Sequence, residues 1–234
     1  MFLLSILLSF FLSALAFATP ASRAESRQLN FDVFLDERPI GYQRFELRQD
    51  SDGLRVETRA EFELTLLLIK AIAYDHHNVE VWRDGCLQTI ASQTESNGKP
   101  YRVKGHVTEH VIGSPGSTGF AVTSKEGSQR LTDCVGTFSY WDKRQLLGRS
   151  QLLNSQTGEY VEVESQPLGP GTLRLGDREL AVERFVLKGK DLEITLAYSL
   201  ASGEWVALDS PLFGGFTLRY RRHAADLAEL RPPD

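Results

Sequence analysis

Residues 54–66 read Leu-Arg-Val-Glu-Thr-Arg-Ala-Glu-Phe-Glu-Leu-Thr-Leu, with apolar and charged side chains in nearly strict alternation. Successive side chains of a β-strand point to opposite faces, so this pattern places the apolar groups on one face and the charged groups on the other. A helix would scatter the same carboxylates around its circumference. The stretch therefore predicts a half-buried strand of an antiparallel sheet.

Turn signals divide the rest of the chain into short pieces of similar length. Asn97-Gly98 is the strongest two-residue hairpin signal, and Asp84-Gly85 marks another turn. Strands do not alternate with helices, which argues against the common α/β folds. The sequence predicts an all-β chain with a strongly curved antiparallel sheet, or a barrel or half-barrel, of eleven to thirteen strands. A short helix is expected within Thr137–Leu147, and a C-terminal helical tail at Ala224–Glu229.

Composition limits the class of protein. The 234 residues are 41% hydrophobic and 24% charged, which excludes wholesale disorder. The formal net charge of -5 argues against a nucleic-acid-binding protein, which usually has a basic surface. We expect a single β-rich domain over residues 25–234, with its core at about Leu29 to Arg221.

The N-terminus has the pattern of a secretory signal peptide. Leu3–Phe17 is almost wholly apolar, and its length of about 15 residues is short for a membrane span of roughly 20. Small-x-small sites follow at Ala16–Ala18 and Ser22–Ala24, so we expect residues 1–24 to be cleaved off after Ala24. The lack of Lys or Arg before the apolar run leaves a retained anchor as the alternative. No cysteine lies near the cleavage site, so the mature chain is not expected to be a lipoprotein or to span a membrane.

The two cysteines, Cys86 and Cys134, predict one disulfide if the chain is exported. The bond would close a loop of about 49 residues, which the chain-entropy model associates with about 4 kcal/mol of stabilisation. Two buried free thiols are the alternative.

Two short motifs have the same order of residue types as known metal-binding motifs. His106-Val-Thr-Glu-His110 has the inverted zinc-protease pattern, but in a strand the two histidines would stand roughly 13 Å apart, too far to share a zinc ion. Asp75-His76-His77 is best interpreted as a polar strand end. The sequence therefore predicts no metal site and no cofactor, and it has no catalytic signature.

Two apolar stretches, residues 66–74 and 211–216, do not alternate. They either bury both faces inside the fold, or rim a cavity and contact lipid. On the second interpretation, the candidate pocket residues are Tyr74, His77, Trp82, Trp141, Trp205, Phe213 and Phe216.

Several sequence elements resemble a known family, in the same order along the chain. They are Phe31–Asp36, Pro39–Leu47, Tyr74, His77, Glu80–Gly85, Thr94–Gly98, Cys134–Trp141, Leu152–Glu159 and Gly203–Ser210. Together they resemble the exported bacterial family of domain of unknown function 6134, over about Leu29 to Arg221. The resemblance implies a β-rich fold and a location in the Gram-negative envelope. It implies no activity, cofactor or catalytic residue.

These observations favour a periplasmic binding or accessory protein for an apolar, lipid-like ligand. One alternative is an enzyme that modifies an envelope lipid or glycan, with a site around Asp75, His76 and His77. Its test is whether those side chains converge in a pocket. The other alternative is an interaction module that adds a strand to a partner through a free sheet edge. The sequence does not indicate the oligomeric state.

Overall fold

The computed structural model describes residues 26–66, 69–108, 119–132 and 134–229. The predicted signal peptide, residues 1–24, lies outside them. The described residues form fifteen strands: β1 Ser26–Leu35, β2 Arg38–Asp50, β3 Gly53–Leu66, β4 Ile69–Arg83, β5 Cys86–Ser96, β6 Lys99–Thr108, β7 Gly119–Ser124, β8 Gly127–Thr132, β9 Gln151–Leu153, β10 Tyr160–Glu162, β11 Glu164–Leu175, β12 Arg178–Gly189, β13 Leu192–Ser199, β14 Trp205–Pro211 and β15 Thr217–Arg222.

Thirteen of these strands form one antiparallel sheet with the order β11-β12-β13-β14-β15-β1-β2-β3-β4-β5-β6-β7-β8. The sheet consists of two consecutive meanders, β1–β8 and β11–β15. They are joined because the first strand pairs with the last, from Phe31 opposite Arg222 to Leu35 opposite Leu218. The two chain ends of the domain therefore meet in the middle of the sheet.

The alternation that predicted β3 is observed as alternating burial. Val56, Ala60, Phe62 and Leu64 are buried on the inner face, and Thr58 occupies the inner position between them. The inner faces of strands far apart in the sheet order contribute to one core. For example, one cluster of buried side chains includes Val103 of β6 and Phe120 of β7 together with Leu187 of β12 and Ile194 of β13. The sheet therefore curls around its apolar face, as predicted.

Of the shapes that the sequence left open, the closed barrel is not the one observed. Within the described residues, the outer strands β8 and β11 do not pair with each other, so the curled sheet keeps two edges.

One end of the curled sheet carries the β1–β2, β5–β6, β7–β8, β12–β13 and β14–β15 connections, and we call it the open end. The opposite end carries the Asp84-Gly85 turn, and we call it the closed end.

Residues 134–163, which we call the crossing segment, run across the concave side of the sheet. The segment starts at the closed end, where the Cys86–Cys134 disulfide confirms the predicted bond. The Leu87 amide also donates to the Val135 carbonyl at 3.0 Å. Leu146 and Leu152 are fully buried against the sheet. The crossing segment therefore belongs to the core, and strands β9 and β10 form its hairpin.

The two predicted helices are wrong. Within Thr137–Leu147 there is only the 3₁₀ turn Lys143–Gln145, which begins where the Asp142 carboxylate accepts the Arg144 amide. The tail Ala224–Glu229 is a 3₁₀ segment. Isolated helices shorter than about 12 residues are marginal in water, so contacts with the sheet decide the conformation of such short pieces.

Candidate ligand-binding cavity

A cavity of about 950 Å³ lies between the sheet and the crossing segment at the open end. The inner faces of β2, β3, β4 and β15 form its floor and one wall. The crossing segment forms the opposite wall, and the β7–β8 and β12–β13 turns form its rim. The cavity exists because the crossing segment packs against the sheet at the closed end but leaves a space between itself and the sheet at the open end.

Aromatic rings form much of the inner wall. Phe62 and Tyr74 are directly opposite each other on β3 and β4, and their rings stack at 5.0 Å. The Tyr220 ring of β15 meets Phe62 edge to face at 6.0 Å. Phe138 and Tyr140 face them from the crossing segment. Such rings offer a ligand a large apolar surface with little side-chain entropy to lose.

Three of these rings carry hydroxyl groups that stay protonated. Burial raises the pKa of Tyr74 above its ordinary value, and the neighbouring Asp75 carboxylate adds to the effect. Burial likewise raises the pKa values of Tyr140 and Tyr220. A neutral phenol can donate and accept a hydrogen bond. The apolar wall therefore also offers polar contacts to a ligand.

His76 lies in the floor of the cavity and is 7% exposed. Its Nδ1 is 2.8 Å from Thr94 Oγ1 on the neighbouring strand β5. Burial lowers the pKa of His76 to about 4, and the nearby His77 contributes to this shift. The imidazole is therefore neutral at neutral pH, and it presents a polar but uncharged group to the cavity.

Below His76, towards the closed end, the inner face stays polar across three neighbouring strands. Thr58, Asn78 and Ser92 are directly opposite one another on β3, β4 and β5. Thr58 Oγ1, Asn78 Oδ1 and Ser92 Oγ are buried and accept or donate no hydrogen bond within the described part of the chain. Unpaired buried polar groups cost stability, so this row is an unusual feature for the interior of a β-sheet.

Glu80 is the next inward residue of β4, and it is completely buried. Its carboxylate accepts hydrogen bonds from Asn78 Nδ2 at 3.0 Å, Trp82 Nε1 at 3.0 Å and Ser139 Oγ at 2.9 Å. Burial raises the pKa of Glu80, and these three hydrogen bonds oppose the rise. Because Ser139 belongs to the crossing segment, Glu80 fastens that segment to the sheet beneath the cavity.

The rim of the cavity is polar. Glu126 lies on the β7–β8 turn, and Lys190 and Asp191 lie on the β12–β13 turn. Gln129 Nε2 of β8 donates to the Gly158 carbonyl at 2.6 Å, which joins the edge of the sheet to the crossing segment. The site is therefore amphipathic, with an aromatic interior and a polar entrance.

Residues 31–223 match the family described as domain of unknown function DUF6134. The chain belongs to this family. The predicted family is thus confirmed over nearly the whole of the folded part. Among curated proteins, none matches the chain.

A solved structure is similar to this DUF6134 chain in its fold. It is described as a beta-barrel-like protein of domain of unknown function DUF1849 from Brucella abortus. The similarity covers 87% of the DUF6134 chain and 98% of the other chain, with a TM-score of 0.61 and 14% sequence identity. At this level of identity the similarity shows a shared fold.

Of the seven predicted pocket residues in the DUF6134 chain, Tyr74 lines the cavity. His77 points to the outer face, where its Nε2 is 3.0 Å from Glu57 Oε1. The three tryptophans, Trp82, Trp141 and Trp205, pack in the core with 6% exposure or less. Phe213 and Phe216 are exposed on the β14–β15 loop. The apolar stretch 66–74 lies partly outside the described residues, at positions 67 and 68.

His76, Phe62 and Tyr220 line the cavity but were not predicted to do so. The alternation along β4 contained the signal for His76. Tyr74 and Trp82 are both apolar inward positions an even number of residues apart, so every second residue between them also faces inward. The sequence offered no comparable signal that Tyr220 would lie beside β3 and β4.

Asp75, His76 and His77 do not converge in a pocket, because His76 faces the cavity while Asp75 is exposed and His77 lies on the outer face.

Within the described residues, no group of three or more His, Cys, Asp or Glu side chains could hold a metal ion. His106 lies on β6, and His110 lies outside the described residues. Nor does any helix in the described ranges have the length and apolar character needed to cross a bilayer.

Proposed function

We propose that this DUF6134 protein is a non-catalytic binding protein of the cell envelope, which holds an amphipathic, lipid-like molecule in the cavity. The observation that carries the proposal is the 950 Å³ cavity with an aromatic inner wall and a polar rim. Cavities that bind small molecules usually measure roughly 300–1,000 Å³ and combine apolar walls with a few polar groups.

The two parts of such a ligand would be bound by different physical effects. Its hydrocarbon would pack against Phe62, Tyr74 and Tyr220, where burial of apolar surface contributes about 25 cal/mol per Å². Its polar end would bind the tyrosine hydroxyls or the side chains of the rim. The neutral state of His76 fits this arrangement, because a charged imidazole beneath hydrocarbon would lack a counter-ion.

The envelope location forms part of the proposal. The apolar N-terminal run with its small-x-small sites supports export with cleavage after Ala24. The Cys86–Cys134 disulfide supports an oxidising compartment such as the periplasm. Both features suit a protein that meets lipids outside the cytoplasm.

The test compares two alanine-to-tryptophan variants. Ala60 lines the cavity, whereas Ala91 is exposed on the outer face of β5. Native mass spectrometry of the purified wild-type protein is expected to show a bound amphiphile. Ala60→Trp is expected to lose it and to bind the fluorescent probe 1-N-phenylnaphthylamine at least about tenfold more weakly, while Ala91→Trp keeps both properties.

Thermal unfolding of both variants would establish that each is folded at the assay temperature. The proposal is overturned if wild-type protein contains no amphiphile and does not bind the probe. Equal binding by wild type and a folded Ala60→Trp variant would also overturn it, because the ligand would then lie elsewhere.

A further inference from the structure

The β14–β15 loop carries an exposed apolar tip, which we define as Leu212, Phe213 and Phe216. Phe213 is 104% exposed, Phe216 is 48% exposed and Leu212 is 41% exposed. The loop is nevertheless ordered by its own backbone, because the Leu212 amide donates to the Phe216 carbonyl at 2.8 Å. Gly214 and Gly215 have φ angles of 87° and 83°, which only glycine adopts easily. These two glycines allow the tight turn that places Phe213 at the apex.

This concentration of exposed apolar side chains is confined to one place on the described surface. The other large hydrophobic residues exposed there are Leu168 and Leu200, each on a different element. Leu200 lies in the β13–β14 connection at the closed end, opposite the apolar tip. Single exposed apolar residues are normal, whereas a cluster that includes a fully exposed ring indicates a surface that something covers.

The apolar tip stands beside the mouth of the cavity. Ser210 Oγ, just before the tip, donates to the Glu193 carbonyl of the neighbouring strand β13 at 3.0 Å. The residues immediately before Glu193, from Lys190 to Leu192, line the cavity. The tip and the polar rim therefore share the open end of the fold.

The shape of the tip favours a lipid surface over a protein surface. Stable protein interfaces bury roughly 800 Å² on each partner, which a convex turn with three apolar side chains does not offer. A bilayer needs no complementary shape, and aromatic rings are favoured at its interface with water. The charges behind the tip are balanced, because Arg219 pairs with Glu37 at 2.7 Å and Arg221 pairs with Asp209 at 2.6 Å. Insertion would therefore bury apolar groups without burying an unpaired charge.

We propose that the apolar tip inserts into the surface of a lipid bilayer and brings the cavity mouth against the membrane. The purpose we assign to this contact, exchange of the lipid-like ligand between bilayer and cavity, rests on the function proposed above. The contact itself depends only on the tip. The two proposals can therefore fail separately.

The experiment measures binding of the protein, recovered after export and with its N-terminus determined by mass spectrometry, to vesicles. Flotation with vesicles of phosphatidylethanolamine and phosphatidylglycerol, and with phosphatidylcholine vesicles, compares wild type with Phe213→Ser and the matched control Leu200→Ser. We expect Phe213→Ser to reduce the partition coefficient about tenfold on both lipids, because an apolar ring is lost. Leu200→Ser is expected to bind like wild type, as is the cavity variant Ala60→Trp.

A second variant, Phe213→Trp, reports the depth of the tip. The three native tryptophans are buried, so quenching by brominated lipid is expected to rise above the wild-type level only in this variant. The proposal is overturned if wild type does not float with either vesicle, or if Phe213→Ser floats equally well. A concentration-dependent dimer that Phe213→Ser abolishes, without vesicle binding, would assign the tip to a second copy of the chain instead. Loss of the bound amphiphile in Ala60→Trp with intact flotation would show that the tip acts independently of the cavity.

Discussion

At the scale of single residues, the inner face of β4 shows how this fold combines an apolar core with polar groups. From Tyr74 to Trp82, its inward side chains are an aromatic ring at each end and three polar groups between them, His76, Asn78 and Glu80. Glu80 is stabilised by three hydrogen-bond donors, and His76 has a hydrogen-bond contact with Thr94. Both buried titratable groups are thus tied to specific neighbours, and their protonation is coupled to the stability of the fold.

His76 predicts a loss of stability in mild acid. Its folded-state pKa is about 4 against an ordinary value of 6.5, so between these values the unfolded chain binds a proton that the folded chain does not. The stabilisation present above pH 6.5 is therefore lost as pH falls towards 4. Between about pH 7.5 and pH 5, the unfolding free energy of wild type should fall by about 2 kcal/mol more than that of His76→Gln. Urea unfolding at both pH values measures the difference, and parallel pH profiles would contradict it.

At the scale of elements, the crossing segment decides whether the curled sheet has an interior. It is held at the closed end by the disulfide and by Arg149, whose Nη2 donates to the Gly85 carbonyl at 2.8 Å and whose Nε donates to the Gln145 carbonyl at 2.8 Å. Glu80 holds its middle through Ser139. These contacts all lie below the cavity, so the segment is fixed where it fills the core.

Removal of the disulfide tests this role. The variant Cys86→Ser/Cys134→Ser should lose up to about 4 kcal/mol of unfolding free energy, because its unfolded chain gains the freedom of the opened loop. Equilibrium urea unfolding measures the loss, and limited proteolysis at native conditions should cut first within residues 134–163. An unchanged urea midpoint, or first cuts elsewhere in the chain, would show that the segment does not depend on the bond.

The free edges of the sheet are also an element-scale property. Strand β11 forms one edge and contains Pro167 and Pro170, with a register shift between Pro167 and Gly169. Proline lacks the amide that a further strand would need, and an irregular edge does not offer a continuous row of hydrogen-bonding groups. This edge is therefore poorly suited to the strand-addition role that the sequence left open.

At the scale of the whole molecule, the two meanders are held together where the chain ends meet. Beyond the β1–β15 pairing, the Asp226 carboxylate accepts hydrogen bonds from the Asn30 backbone amide at 3.2 Å and from its side-chain Nδ2 at 2.9 Å. Asp226 also lies 3.6 Å from Arg222 Nε. These contacts join residues up to 196 positions apart in the chain.

The variant Asp226→Ala should lower the unfolding free energy by about 1–2 kcal/mol, because it removes the acceptor for two Asn30 donors. Asp226→Asn keeps one acceptor oxygen and should lose less. If the two meanders unfold as one unit, both variants will show a single urea transition with an unchanged slope. Two separate transitions would show that the meanders are independent, and an unchanged midpoint in Asp226→Ala would remove the contact from this account.

Local patterns in the sequence determined much of this protein. Alternation over residues 54–66 predicted β3, Asn97-Gly98 predicted the β5–β6 turn, and the presence of only two cysteines predicted the disulfide. These predictions succeeded because side-chain period, turn geometry and cysteine pairing depend on neighbouring residues or on a single possible partner. The predicted short helices failed because contacts with the sheet outweigh the weak preference of a few residues.

The cavity was decided by the tertiary structure alone. Tyr220 lies beside Phe62 because the last strand pairs with the first, and Phe138 and Tyr140 face the cavity because the crossing segment folds back across the sheet. Neither contact follows from sequence periodicity, since each depends on how far the whole sheet curls before distant strands meet. The sequence by itself therefore determined the strands and which face of each is apolar, and the long-range packing determined what those faces enclose.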